Sequence, residues 1–196
     1  MKTYKLKSGN TLKIVQDDTD DNPRSWDNLA KMIFFNKYKN YGDDHDVILY
    51  EDFNSREDFM TRGTEIVAKK LNAVICKPVH WYSHSGESIS TSYSYPYNCR
   101  WDSGTIGFAV VTKEDIRKEY GVKKVTKKHI EKADRVLEGE VEILNQYISG
   151  DVWGFQVVDN NDNIVDSCYG FYGSDIHKNG MIEHINDEII ESELVS

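Results

Sequence analysis

The sequence predicts an α+β fold, with a single domain over residues 1–196 in which an antiparallel or mixed sheet is covered by two or three helices. Apolar residues recur at helical spacing in two separate segments, and strand-like alternation surrounds two turn sequences. Strands and helices do not alternate strictly along the chain, which favours α+β over α/β. The 196 residues suffice for one substantial core, and no Gly/Ser-rich linker divides them.

The first strands are predicted to form a β-hairpin. Two short alternating runs, residues 3–6 and 11–15, flank the turn sequence Ser8-Gly9-Asn10. Further along, residues 29–38 form a short apolar run that fits either a helix or a strand, and we expect a strand from Lys31 onward.

A polar block over residues 17–28 separates these strands without the composition of a flexible linker. It holds Pro23 and Trp26, residue types that fix and anchor a turn. We therefore expect a specific structure here with Trp26 buried. Trp101 is expected to be buried in the same structural role.

The middle of the chain predicts a helix followed by strands. Ser55 and Asp58 have the spacing of a capping box, and the helix is expected to end near Asn72. Residues 74–97 are rich in β-branched and aromatic types and predict two strands broken at Ser85-Gly86, while residues 105–111 predict another. The inward face of the helix is predicted to carry Phe59, Gly63, Ile66, Val67 and Leu71.

The second half predicts two helices, a hairpin and a C-terminal helix. Thr112 and Asp115 repeat the capping spacing of a short helix that Gly121 ends. Residues 153–158 and 163–168 predict a hairpin. A longer helix over residues 127–149 is predicted from the spacing of Ile130, Ala133, Leu137, Val141, Leu144 and Ile148. The acidic C-terminal helix or tail from about residue 174 to 194 is expected to turn inward Ile182, Ile185, Ile189 and Ile190.

Composition predicts a soluble cytoplasmic protein, with no membrane association and no cofactor. No apolar window approaches the roughly 20 residues that a membrane span needs, and the N-terminus lacks an apolar signal-peptide region. The cysteines Cys76, Cys99 and Cys168 are odd in number and widely spaced, which favours a reducing compartment over a disulfide framework.

The net charge of −9 is distributed unevenly. Residues 43–58 carry a balance of −6, residues 113–135 a balance of +4, and residues 183–193 five acids without Lys or Arg. Such separation fits binding of a basic partner by the acidic segment, and it fits equally a charged surface that serves solubility. The candidate binding residues are Asp43, Asp44, Asp46, Asp52, Glu57 and Asp58.

Two similar fragments, residues 102–108 and 166–171, suggest a hydrolase-like site. Cys168 or Ser103 would be the nucleophile and His84 the base, because a nucleophile needs a base within hydrogen-bond reach. The alternative is structural, since Asp and Ser form side-chain turns where strands begin. The candidate catalytic residues are Arg24, His84, Asp102 and Cys168.

Three further patterns favour solvated or structural residues over sites. The acidic loop over residues 42–46 lacks the alternating spacing of a calcium loop. His80 and His84, four apart in a strand-like segment, lie too far apart for zinc. The basic run over residues 117–129 could contact phosphates, so direct nucleic-acid binding stays open, although no base-reading pattern accompanies the run.

Four motifs in order resemble a group of uncharacterised tailed-phage and prophage proteins. They are Asp21-Asn22-Pro23-Arg24-x-Trp26-Asp27-Asn28-Leu29, Cys99-x-Trp101-Asp102-Ser103-Gly104-x-x-Gly107-Phe108, Gly150-Asp151-Val152-Trp153-Gly154-Phe155 and Asp166-Ser167-Cys168-x-Gly170-Phe171-Tyr172-Gly173. The resemblance spans most of the chain, from about residue 20 to 173. It implies a virus-related origin, and hence the cytoplasm of the infected or lysogenic host cell, and it provides no catalytic roles to carry over.

The predicted function is that of a phage accessory protein that binds a host protein stoichiometrically, with a nucleic-acid enzyme as the candidate partner. By analogy with small phage proteins that lack enzyme motifs, it is a candidate anti-CRISPR or anti-restriction inhibitor. The alternative is an enzyme whose site gathers Arg24, His84, Asp102 and Cys168.

Overall fold

The computed structural model describes residues 2–18, 21–46, 48–93, 95–97 and 101–193. Of residues 191–193 it describes only the backbone. Helix α1 spans Arg56–Leu71, α2 Lys113–Tyr120 and α3 Lys127–Ser149. Short 3-10 helices span Pro23–Ser25, Asn36–Tyr41, Tyr50–Asp52 and Met181–His184. The strands are β1 (Lys2–Leu6), β2 (Thr11–Gln16), β3 (Lys31–Phe34), β4 (Ala73–Ser83), β5 (Glu87–Thr91), β6 (Ser103–Thr112), β7 (Val152–Val158), β8 (Ile164–Tyr172) and β9 (Ile189–Glu193).

The chain divides into two compact units. The terminal unit comprises Met1–Asp21 and Gln146–Ser196, and the central unit comprises Asn22–Asn145. Each has its own antiparallel sheet, so the α+β class is confirmed with the strands in two sheets. That residues 1–196 form one domain stays a prediction.

The terminal unit is a five-stranded sheet in the order β8-β7-β2-β1-β9. The hairpin of β1 and β2 and the hairpin of β7 and β8 were both predicted from their turn sequences, and both are confirmed. Leu12 and Ile14 alternate along β2 and pack against Phe155 and Phe171 in one buried cluster.

The central unit is a four-stranded sheet in the order β3-β6-β4-β5 with α1 packed against it. Helix α1 begins where the Ser55 hydroxyl accepts a hydrogen bond from the Asp58 N–H, and it ends at Asn72 in the left-handed conformation (φ 51°). Gly63 lets the helix approach β6, because a Cβ there would lie 2.3 Å from the Phe108 ring.

Helices α2 and α3 follow their predicted bounds. Thr112 and Asp115 form the capping box of α2, and Gly121 (φ 61°) ends it. The predicted stripe of α3 is buried at Ala133, Leu137, Val141 and Leu144, which confirms the amphipathic pattern.

The buried Lys77 of β4 joins this sheet to α3 through ion pairs to Asp134 at 2.7 Å and Glu138 at 2.8 Å. Burial acts to lower the pKa of Lys77, but the two carboxylates outweigh it and its pKa is raised. A charged lysine is therefore retained in a position with little solvent contact.

The predicted C-terminal helix is wrong. Within its bounds the structure has a 3-10 helix at Met181–His184 and the strand β9, which pairs with β1; Leu194 lies outside the described residues. The isoleucine spacing fits a helix face, but β1 offers unpaired backbone groups that an isoleucine-rich segment can satisfy as a strand. Tertiary pairing therefore overrides the local pattern.

Burial of the two tryptophans is also wrong. Trp26 is 42% exposed and Trp101 is 95% exposed. Among the described residues of the polar block Pro23 is buried, whereas Trp26 follows the 3-10 helix in an extended conformation. Trp101 precedes the first residue of β6 and is not held in the sheet.

Candidate functional site

A cleft of about 470 Å³ opens at one end of the sheet of the central unit. Half of its lining consists of aromatic side chains, methionine and arginine, residue types that dominate binding surfaces. We call it the aromatic cleft. Its lining residues are Phe35, Asn36, Lys37, Tyr38, Tyr50, Arg56, Phe59, Met60, Trp81, Ser83, Trp101, Asp102, Ser103, Gly104, Thr105 and Ile106.

The segment after β3 forms one wall of the aromatic cleft. The Phe35 N–H donates to the Ile106 carbonyl (3.0 Å), which keeps the chain beside β6 one residue past the strand. Asn36 then adopts a left-handed φ of 57°, a conformation that asparagine tolerates better than most residues. This turn starts the 3-10 helix that carries Lys37 and Tyr38 to the cleft.

Trp81 and Gly104 form the floor. They are directly paired neighbours on β4 and β6, so both positions face the same side of the sheet. The Trp81 indole is covered by the rings of Tyr38 and Tyr41, whose centroids lie 4.6 Å and 5.4 Å from it. A Cβ on Gly104 would meet no atom within 4 Å, so the cleft is open above this glycine.

The opposite wall comes from Tyr50 and the start of α1. Phe59 is buried against Phe35, with ring centroids 5.5 Å apart in an edge-to-face arrangement, and supports the wall from within. Tyr50 and Met60 remain 38% and 47% exposed. With the exposed Trp101 they give the cleft an apolar mouth that is accessible to solvent.

Two cations, Lys37 and Arg56, line the cleft. The Lys37 ammonium lies 4.9 Å from the centroid of the Tyr38 ring. Arg56 has acidic neighbours, but Asp52 pairs with Lys70 (2.6 Å) and Asp58 with Arg62 (3.2 Å). Within the described residues Arg56 therefore has no ion-pair partner.

The structure places two of the predicted catalytic residues together at this cleft. His84 Nδ1 lies 3.4 Å from Asp102 Oδ2, and the Asp102 carbonyl accepts a hydrogen bond from the Ser83 N–H (2.7 Å). Ser103 follows directly, and its hydroxyl accepts a hydrogen bond from the Tyr95 hydroxyl. His84 and Asp102 therefore form a pair at the rim of the aromatic cleft.

The other two predicted catalytic residues are not part of this pair. Cys168 belongs to β8 of the terminal unit. Arg24 belongs to the central unit but is committed to structure: its guanidinium donates to Asp43 (3.1 and 2.7 Å), to the Ala30 carbonyl (2.6 Å) and to Glu140 (3.4 Å).

The Arg24 network fixes the polar block to α3. Glu140 accepts backbone N–H donors from Leu29 (2.7 Å) and Ala30 (3.1 Å) in addition to Arg24. Burial raises the pKa of Glu140, although these donors and the guanidinium favour the carboxylate. The contacts of Arg24 within this motif are therefore structural.

The acidic binding candidates divide into engaged and exposed groups. Asp43 accepts from Arg24 and the Met32 N–H, and Asp52 accepts from Lys70 and the Leu49 N–H. The Asp58 carboxylate accepts from the Asn54 N–H and from Arg62. The exposed group is Asp44, Asp46 and Glu57. Of the six candidates, these three present their charge to solvent without an ion pair within the described residues.

Sequence reasoning missed the cleft because its parts come from distant segments. Tyr38 and Arg56 belong to no motif, and Gly104 belongs to a motif that did not indicate a cleft. The density of aromatic residues around Trp81 was the one hint of a binding surface. In the sequence, Arg56 is the single Lys or Arg of the acidic segment over residues 43–58. The ion pairs of Asp52 and Asp58 with other cations are known only from the structure.

No group of three or more His, Cys, Asp or Glu side chains among the described residues could hold a metal ion. In the same part of the chain, no helix has both the length and the apolar character to cross a membrane. Comparison of the chain with family models, with curated proteins and with solved structures finds no match.

Proposed function

We propose that this protein is a phage-derived accessory protein that binds a host protein stoichiometrically and inhibits a host defence system of the anti-CRISPR or anti-restriction type. The phage origin rests on the resemblance of the four motifs. The binding mode rests on the mouth of the aromatic cleft, where Trp101 is 95% exposed.

A nearly bare indole is the observation that favours binding. Tryptophan is among the residues that contribute most to protein interfaces, where truncation of a central anchor costs about 2 kcal/mol or more. Tyr50 and Met60 flank the same mouth, so the surface has the aromatic centre that such interfaces share.

The acidic segment supplies the charge. Glu51 and Glu57 are exposed and adjoin Tyr50 and Arg56 of the cleft in the chain. Asp44 and Asp46 are exposed in the same segment. Carboxylates around an aromatic centre accelerate encounter with a basic surface, such as that of a nucleic-acid enzyme.

A hydrolase is the second candidate, and the 3.4 Å pair of His84 and Asp102 beside Ser103 is the observation that favours it. In this arrangement His84 would act as base. The pair lies on the surface, with the His84 side chain 66% exposed, so the low-dielectric environment that strengthens catalytic groups is missing. Binding is therefore preferred.

The test is capture of a host partner by the tagged protein, followed by measurement of the complex mass and of its affinity. A complex of fixed stoichiometry is expected. Trp101→Ala is expected to weaken it about 30-fold or more, as the loss of an anchor worth about 2 kcal/mol. Tyr93→Ala is the matched control, because Tyr93 is 72% exposed but does not line the cleft.

The charge contribution is tested on the exposed carboxylates. Reversal of Asp44, Asp46 and Glu57 to Lys is expected to lower the association rate and its salt dependence without unfolding the protein. Asp43 and Asp52 are unsuitable, since reversal would break their ion pairs with Arg24 and Lys70. Equal binding by the Trp101→Ala variant, or turnover lost with His84→Ala, would overturn the binding proposal.

A further inference from the structure

We propose that the interior of the aromatic cleft binds a nucleoside phosphate, with the base between aromatic side chains and the phosphate at Lys37 and Arg56. This inference goes beyond the proposed function. It concerns a small ligand of the isolated protein, so it stands or falls separately from the capture of a host protein.

The size and the aromatic lining favour a planar ligand. About 470 Å³ lies in the range of about 300–1,000 Å³ that is typical of small-molecule sites. Tyr38 and Tyr50 stand on either wall and Trp101 is at the mouth, while Trp81 is buried beneath them in the floor. Stacking on such rings is worth about 1–3 kcal/mol per base, whatever the base.

The charge favours an anionic group on that ligand. Lys37 and Arg56 line the cleft, and within the described residues neither forms an ion pair. Two of the acids near Arg56, Asp52 and Asp58, are paired with Lys70 and Arg62, and Glu57 directly after it is exposed. A phosphate would provide the counter-charge, and a guanidinium can bind it with two hydrogen bonds.

The remaining lining is polar and suits the edge of a base. Ser83, Ser103 and Thr105 supply hydroxyl groups, and Asn36 supplies an amide. Asp102 adds a carboxylate, which accepts the amino and imino donors that bases carry. A fatty or purely apolar ligand would match this polar lining poorly.

The first experiment is calorimetric titration of the purified protein with four types of probe, which are the common mononucleotides, their nucleosides, inorganic phosphate and glucose 6-phosphate. At least one mononucleotide is expected to bind about tenfold or more tightly than its nucleoside, the difference of one charge-assisted contact. Binding of no mononucleotide, or equal affinity for the nucleoside or the sugar phosphate, would overturn the proposal.

Filling the cleft is the second experiment. Gly104→Leu places a side chain above Trp81 in space that holds no atom within 4 Å of the new Cβ, so the fold is expected to persist. Nucleotide affinity should fall at least about tenfold. Gly139→Leu is the matched control, because Gly139 also has open space at its Cβ but lies on α3 outside the cleft.

Arg56→Gln keeps the size of the side chain and removes its charge. It is expected to weaken nucleotide binding and to reduce the dependence of affinity on salt, while nucleoside affinity stays unchanged. This variant keeps the test decisive even if Gly104→Leu fails to fold. Unchanged nucleotide affinity in Arg56→Gln, or an equal loss in Gly139→Leu and Gly104→Leu, would contradict the assigned site.

Discussion

Alanine at Gly63 and alanine at Gly139 are expected to change stability in opposite directions. Both glycines lie inside helices, where glycine costs about 1 kcal/mol relative to alanine. The Cβ of alanine at position 139 would meet no atom within 4 Å. At position 63 it would lie 2.3 Å from Phe108 Cζ and 3.0 Å from Cε1.

Phe108 cannot move aside without a cost. It is 1% exposed, and its ring contacts those of Phe53 and Phe59 at centroid distances of 6.2 and 5.2 Å. Overpacking of such a core costs about 1–3 kcal/mol, which equals or exceeds the helix gain of about 1 kcal/mol. Gly63→Ala is therefore expected to destabilise by up to about 2 kcal/mol, and Gly139→Ala to stabilise by about 1 kcal/mol.

Urea denaturation of both variants beside the parent protein measures this difference in the free energy of unfolding. Each kcal/mol should also move the melting temperature by about 2–4 °C in a chain of this length. If Gly63→Ala is stabilised as much as Gly139→Ala, α1 does not pack on Phe108 as described.

Three other variants or conditions test the core and the titrating groups. Leu137→Asp is expected to unfold the protein, because it buries a charge at a fully buried position of α3, whereas Lys128→Asp on the exposed face should keep the melting temperature within a few degrees. Burial lowers the pKa of His80 below 6.5, so below this pH the unfolded chain takes up a proton on His80 more readily than the folded protein does. The free energy of unfolding should therefore fall as the pH drops through 6.5. Urea titrations at several pH values should show a smaller fall for His80→Gln. Burial raises the pKa of the Cys76 thiol to about 12, so this thiol should not react in the folded protein. In a Cys99→Ser variant, mass spectrometry should show that iodoacetamide modifies Cys168 but modifies Cys76 only after denaturation.

Short sequence patterns predicted most of the secondary structure because the hydrogen bonds behind those patterns span only a few residues. Ser55, Thr112 and Gly121 satisfy backbone groups within a few residues, so their helices begin and end where the sequence indicates. The C-terminal segment was predicted wrongly because β9 exists only through its pairing with β1, about 185 residues away. Division of the strands into two sheets likewise depends on pairings between distant strands.

The candidate site was predicted only in part. His84 and Asp102 were both named as candidates for one enzyme site, with His84 as the base, but their direct pairing was not predicted. The engagement of Arg24 by Asp43 and Glu140 follows from tertiary packing. The cleft joins residues from the segment after β3, from α1, from β4 and from β6, and no single window of sequence contains enough of them to be recognised. Exposure of Trp101 is equally invisible in the sequence, where tryptophan ordinarily predicts burial.

The central claim is that the protein acts by binding through the aromatic cleft of the central unit, and hydrogen exchange of the captured complex tests it most directly. Amide exchange followed by mass spectrometry, with and without the host partner, locates the contact surface along the chain. We predict slower exchange in the complex at Asn36–Tyr41, at Tyr50–Asp52 and at the start of α1, with little change along β8. Protection confined to the terminal unit, with the residues of the cleft unchanged, would contradict the account.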